Sequence, residues 1–258
     1  MTPTFSLRQA TSALAWWLEA GWDAAIDPET RLFGAQQFAT QQFATQPARA
    51  QDPAPPRPHQ EIAGVQDLAA LRAYIEAFEG CPLKKTATNT VIADGLAGAR
   101  LMVIGEAPGA EEDRTGRPFV GRAGQLLDRM LAAIGLDRKA ETPDRAAYIT
   151  NIVFWRPLGN REPNSAEVAS CLPLALRHIE LARPRAILAL GGVATKALLS
   201  TEAGITRVRG RWAALHLNGV EYPVLPSYHP AFLLRKPAGK AQAWADLLML
   251  KTFLDAAA

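Results

Sequence analysis

Cysteine is scarce: the 258 residues contain two, Cys81 and Cys171, ninety positions apart. That spacing excludes the disulfide framework of a small secreted domain and a CxxC metal knuckle, and it fits a reducing cytoplasm. No apolar run approaches the roughly 18 residues of a membrane span, and Met1 to Leu7 has no basic n-region, so neither a membrane protein nor a processed export precursor is expected. Neither sign of charge dominates. With 28 Lys and Arg against 25 Asp and Glu, the net charge of +3 and pI near 9.0 permit nucleic-acid contact without establishing it. A composition that is 48% hydrophobic and 21% charged is that of a globular chain, which rules out disorder throughout, collagen and coiled coil.

The first sixty residues differ from the rest. Thr4 to Ile26 reads as a helix with Leu7, Leu14, Trp17 and Leu18 on one side. A duplication follows, Gln36-Gln37-Phe38-Ala39-Thr40 then Gln41-Gln42-Phe43-Ala44-Thr45, and then a linker with five prolines between Gln46 and His59. Residues 1–60 are therefore expected to be a helix plus low-complexity linker, and residues 61–258 a separate domain. There, short apolar runs alternate with amphipathic stretches. Leu101–Ile104, Tyr148–Val153, Ala186–Leu190 and Tyr222–Pro226 read as parallel strands, and Asp67–Phe78, Gly124–Ile134, Ser165–Leu181, Val193–Leu199 and Gln242–Leu254 as helices. The pattern predicts an α/β fold, a three-layer α/β/α sandwich on a central four-stranded parallel sheet, with the proline-flanked last strand short or at an edge.

Ligands of open parallel sheets bind beyond the carboxyl ends of the strands, and here those ends are polar and glycine-rich. The first strand runs into Gly105-Glu106-Ala107-Pro108-Gly109 and then the Gly116–Gln125 loop containing Phe119. The second carries Asn151, the third ends at Gly191-Gly192, and the fourth empties into Ser227-Tyr228-His229-Pro230. One carboxylate, one amide, one imidazole and an aromatic ring are thus expected on a single rim.

These motifs, Gly105 to Gly109, Gly116 to Gly124, Tyr148-Ile149-Thr150-Asn151 and His229-Pro230-Ala231-Phe232-Leu233-Leu234-Arg235, resemble in order and spacing those of family 4 uracil-DNA glycosylases over roughly residues 75–250. The resemblance implies a monofunctional DNA glycosylase that flips uracil out and hydrolyses its N-glycosidic bond to begin base excision repair. It leaves the base range open to deaminated purines such as hypoxanthine and xanthine. The partner implied is uracil-containing DNA, the expected state a cytoplasmic monomer. A non-catalytic module that binds damaged or single-stranded DNA on the same fold is the alternative, against which the intact Glu106, Asn151 and His229 argue.

The residue types suit that chemistry. An amide offers a donor and an acceptor together, so Asn151 can pair with uracil O4 and N3–H where cytosine presents the wrong pattern; capping the next loop is its competing role. Phe119 can lie against a base, with core packing as its competing role. Bond cleavage builds positive charge on the sugar and negative charge on the base, so catalysis needs opposite partners on two sides. His229 is the donor to the departing anion, and Glu106 either positions water or stabilises the sugar cation. Ala107 and Gly109 allow backbone N–H groups close to the base, and the resemblance places Glu112 beside its C5 edge. Residues 207–240 hold six basic residues against Glu221, net +5. Arg209, Arg211, Arg235 and Lys236, with Arg122, are the expected phosphate contacts, and Leu233 with its neighbours the expected wedge.

The sequence departs from the family at its iron–sulfur site. Cys81 and Cys171 match the second and fourth of four cluster cysteines, but Phe78 and Trp155 stand at the first and third. Two thiolates and two rings do not make a [4Fe–4S] site, so no cluster and no other cofactor is expected. Between Ile205 and Trp212 lies only Thr-Arg-Val-Arg-Gly-Arg, without the inserted histidine loop of glycosylases that trap DNA covalently, so trapping is not expected.

Overall fold

A computed structural model describes residues 62–256. The helix expected at Thr4–Ile26, the duplicated linker and the boundary at residue 60 lie outside them. The central strands are five-residue runs buried along their whole length, β2 (Leu101–Gly105) and β4 (Ala186–Leu190) apolar throughout and β3 (Ala147–Asn151) ending in the polar Thr150 and Asn151. Two further strands come late in the chain, β5 (Ala213–Leu217) and β6 (Val220–Ser227), and a short one, β1 (Ala93–Gly95), comes first. The sheet order is β1-β3-β2-β4-β6-β5. Its inner four strands are mutually parallel, as expected, while β1 and β5 add an antiparallel strand at each edge.

Neither edge strand is among the expected ones, although one of them carries a sequence signal. β1 is Ala-Asp-Gly, too short for any periodicity. β5 is joined to β6 by Asn218-Gly219, both at positive φ, the dipeptide that favours a two-residue hairpin turn. The expectation of an edge position for the proline-flanked strand is corrected: β6 lies between β4 and β5. Its pairing with β4 begins at Val224, just after Pro223, and its pairing with β5 ends at Val224, before Pro226. Each proline therefore has a paired strand on one side only, and a nitrogen turned to the other side forfeits no ladder hydrogen bond.

Successive strand residues feed opposite cores. Met102, Ile104, Ile187 and Ala189 join one apolar cluster with α1 (Leu68–Ala77), α4 (Ser165–Ala182) and α5 (Gly192–Leu199). Leu101, Val103, Leu188 and Leu190 join the other with α3 (Arg122–Ala133), α7 (Pro230–Arg235) and α8 (Lys240–Ala256). Two short helices complete the order, α2 (Ala110–Thr115) and α6 (Ile205–Val208). Helices thus cover both faces of the sheet. Because the inner strands are parallel, Gly105, Asn151, Gly191 and the segment after Ser227 all emerge at one end.

Candidate active site

At that end lies a cavity of about 540 Å³ lined by Glu106, Ala107, Gly109, Glu112, Phe119, Asn151, Gly191, His229 and Arg235. Every residue expected to act on a base is therefore brought together. Asn151 ends β3 opposite Gly105 of β2, is 1% exposed, and its buried Oδ1 has no hydrogen-bond partner among the described residues. A buried, unpaired carbonyl is costly, on the order of 1–3 kcal/mol, and so marks a place that a ligand donor would fill. Any Cβ at Gly105 would collide with both the Phe119 ring and Asn151 Oδ1, so glycine lets the aromatic and the amide sit side by side. Phe119 is buried and belongs to the core as well as the cavity wall, with its centroid 5.5 Å from that of His229.

His229 caps α7. Its Nδ1 accepts the backbone N–H of Ala231 at 3.1 Å. Burial, with Arg235 in support and Glu112 opposed, pushes its pKa down to about 4, so the ring is neutral near pH 7 and its remaining proton sits on Nε2. Gly191, at φ +90°, backs the ring; a Cβ there would lie 3.2 Å from that of His229. Glu106 is half-buried, and burial first, then Glu162, lift its pKa to about 7 against the pull of Arg235. Glu162 and its neighbours Pro157, Asn160 and Arg161 also line the cavity. This loop is not among the expected site residues, because it lies outside the four motifs that carry the family resemblance.

Glu112 stands at the cavity, where it was expected, and has a bracing role besides. Its oxygens serve the backbone: Oε2 accepts from Gly109 N–H at 3.1 Å, and Oε1 from Val120 and Gly121 N–H at 2.8 Å each. It ties the Gly105–Gly109 turn to the Phe119 loop.

Among the expected DNA contacts, Arg122, Arg211, Arg235 and Lys236 are exposed. Two expectations are corrected. Leu233 is wholly buried in the second core, because α7 packs against α3 there. Arg209 is held by Asp246, a fully buried carboxylate that Ser227 Oγ also reaches at 2.6 Å, and it donates to the Gln242 carbonyl. Its guanidinium lies 5.4 Å from the centroid of Tyr228, so it braces the strand end before His229 and is not a free phosphate ligand. Leu158, by contrast, is 73% exposed beside Pro157 on the cavity rim.

The four positions of the family's cluster site meet in the first core. Cys81 and Cys171 are buried and share a hydrogen bond that lowers the pKa of Cys81 and raises that of Cys171. Phe78 stacks on Trp155 at 6.2 Å, and the only nitrogen of the Trp155 ring donates to Thr90 Oγ1 at 3.0 Å. This donor set does not fit a four-thiolate cluster, because ring carbon occupies two ligand positions.

Fold and rim together define an α/β/α protein whose site, lined by apolar walls and a few convergent polar groups, lies at the carboxyl ends of its parallel strands. The family model for the uracil DNA glycosylase superfamily matches residues 93–248. The chain belongs to that superfamily. It is 40% identical over 198 residues to a type-4 uracil-DNA glycosylase of Pyrobaculum aerophilum, covering 73% of this chain and 98% of the relative. A type-4 uracil-DNA glycosylase of Thermotoga maritima is 38% identical over 186 residues, 70% of this chain and 91% of the relative. A type-5 uracil-DNA glycosylase of Pyrobaculum aerophilum is 36% identical over 146 residues, 53% of this chain and 63% of the relative.

Proposed function

We propose that the protein is a monofunctional uracil-DNA glycosylase that hydrolyses the bond between uracil and deoxyribose and leaves an abasic site. The observation that carries this is the buried Asn151 amide, whose Oδ1 has no hydrogen-bond donor among the described residues. Uracil N3–H supplies that donor, and the amide's own N–H can serve O4. Phe119 offers its face to the base. His229, neutral and protonated on Nε2, donates to O2 as negative charge builds there. Glu106 acts on the sugar side in its ionised form, turning a water toward the anomeric carbon or opposing the cation's charge. No step uses a metal.

Arg122, Arg211, Arg235 and Lys236 take phosphates around the opening. With Leu233 buried, Leu158 is the apolar side chain placed to fill the vacated stack. In its turn Gly159 and Asn160 are at positive φ, and Asn160 Oδ1 accepts from Arg156 Nε at 2.7 Å. We further infer that the core around Cys81, Cys171, Phe78 and Trp155 holds no [4Fe–4S] cluster, and that residues 61–258 form the enzyme.

The test is incubation with uracil-containing oligonucleotides, single and double stranded, followed by hot alkali. Strand breakage at uracil is expected, with Asn151→Asp weakening uracil selection. An unbroken strand, with binding retained, would overturn the reading in favour of a non-catalytic DNA-binding module.

A further inference from the structure

We infer that Arg138 is a positioning residue for base recognition: its buried guanidinium sets the Phe119 loop so that the ring presents its face to the flipped base. The inference rests on the glycosylase reading above, in which Phe119 is the stacking surface. Arg138 lies outside the cavity, between α3 and β3, and its side chain is 4% exposed.

Phe119 has φ +53°, the left-handed region, where a bulky side chain is rarely found and persists only when its surroundings over-determine it. Three groups do so here. Arg138 Nη1 donates to the Pro118 carbonyl and Nη2 to the Phe119 carbonyl, each at 2.9 Å. Glu112 Oε1 accepts from Val120 N–H. The peptide between Phe119 and Val120 is thus gripped at its oxygen by one charged side chain and at its nitrogen by another. The start of α3 closes the third side, since any Cβ at Gly124 would collide with the Phe119 carbonyl.

A buried cation requires compensation, and Arg138 has it. Nε donates to Asp128 at 2.7 Å, and Nη1 also meets Asp94 at 3.2 Å. Those carboxylates anchor the planar fork, and two of its nitrogens then reach two successive carbonyl oxygens. An ammonium, with one nitrogen and no plane, cannot reproduce that geometry. Without the clamp, Phe119 is free to leave the left-handed region, and the ring moves off Gly105 and His229. Only steps with a base in the cavity should suffer.

The experiment uses the full chain with Arg138→Gln, Arg138→Lys, Phe119→Ala and the double variant Arg138→Gln/Phe119→Ala. Excision is measured on a single-stranded uracil oligonucleotide, inhibition with free uracil, and affinity with DNA carrying a tetrahydrofuran abasic site, which has no base to stack. Arg138→Gln should weaken uracil inhibition by about tenfold, the scale of one lost base–aromatic stack. Abasic-site affinity should stay within about twofold on the same scale, and Arg138→Gln should add little to Phe119→Ala. Lysine should rescue only in part.

Multiplying effects of the two substitutions, or an equal loss of abasic-site affinity, would overturn the inference. Should Arg138→Gln fail to fold, Gly124→Ala displaces the same peptide from the opposite side and must show the same selective loss; unchanged uracil inhibition in that variant overturns the inference. A wild-type protein that leaves uracil in place overturns the glycosylase reading and this inference with it, whereas an active enzyme with independent Arg138 and Phe119 effects overturns this one alone.

Discussion

The backbone N–H of Ala231 points at His229 Nδ1 from 3.1 Å, within the first turn of α7. An N–H donor can face only a lone pair, so this contact leaves the ring proton on Nε2. Burial then keeps the ring from taking up a second proton until about pH 4. A neutral donor is thereby held ready for a developing anion, without first having to surrender charge. His229→Ala should lower kcat by about 10²-fold or more while binding of uracil-containing DNA survives, the scale of removing one preorganised donor. Unchanged single-turnover excision would refute the role.

The acidic limb of the pH profile should belong to Glu106. Its pKa is raised to about 7, so the active carboxylate is lost as pH falls through that value, while His229 stays neutral well below it. kcat/KM should therefore rise between pH 6 and 8. Glu162→Gln removes a neighbouring negative charge and should move the midpoint down; Arg235→Gln removes a positive one and should move it up. Midpoints that do not move, or move the other way, would show that another group controls the limb.

Leu158 can be separated from the chemistry by strand context. Leu158→Ala should reduce excision from duplex DNA by about tenfold, on the scale of unstacking one base step, and leave single-stranded excision nearly unchanged. Equal losses on both substrates would deny it the wedge role.

The aromatic replacement of the cluster ligands predicts a stability effect and an analytical one. Trp155 is fully buried against Phe78 and Phe154, so Trp155→Ala should destabilise by about 3–5 kcal/mol in denaturant unfolding. Protein purified without oxygen should contain neither stoichiometric iron nor acid-labile sulfide, and finding both would overturn the no-cluster reading.

Much of this was legible in the chain alone. Runs such as Leu101–Ile104 and Ala186–Leu190 announce buried parallel strands, and parallel strands oblige Glu106, Asn151, Gly191 and His229 to emerge together. What each polar group does after emerging depends on partners far away in sequence. Arg209 and Arg235 look alike in a basic segment, yet Arg209 is held by Asp246, 37 positions on, and Arg235 stays exposed at the cavity. Leu233 follows the His229-Pro230 motif as a wedge would, but the helix begun by Pro230 turns it into the core.

Local pattern and motif order determined the layers, the parallel inner strands and the four residues of the site, because apolar periodicity and strand direction are local or additive properties. Tertiary structure alone decided the left-handed Phe119 and its clamp by Arg138, the unpartnered Asn151 oxygen, the raised pKa of Glu106 and the stacking of Phe78 on Trp155. Each of these is a matter of burial and pairing between side chains that the fold, not sequence proximity, brings into contact.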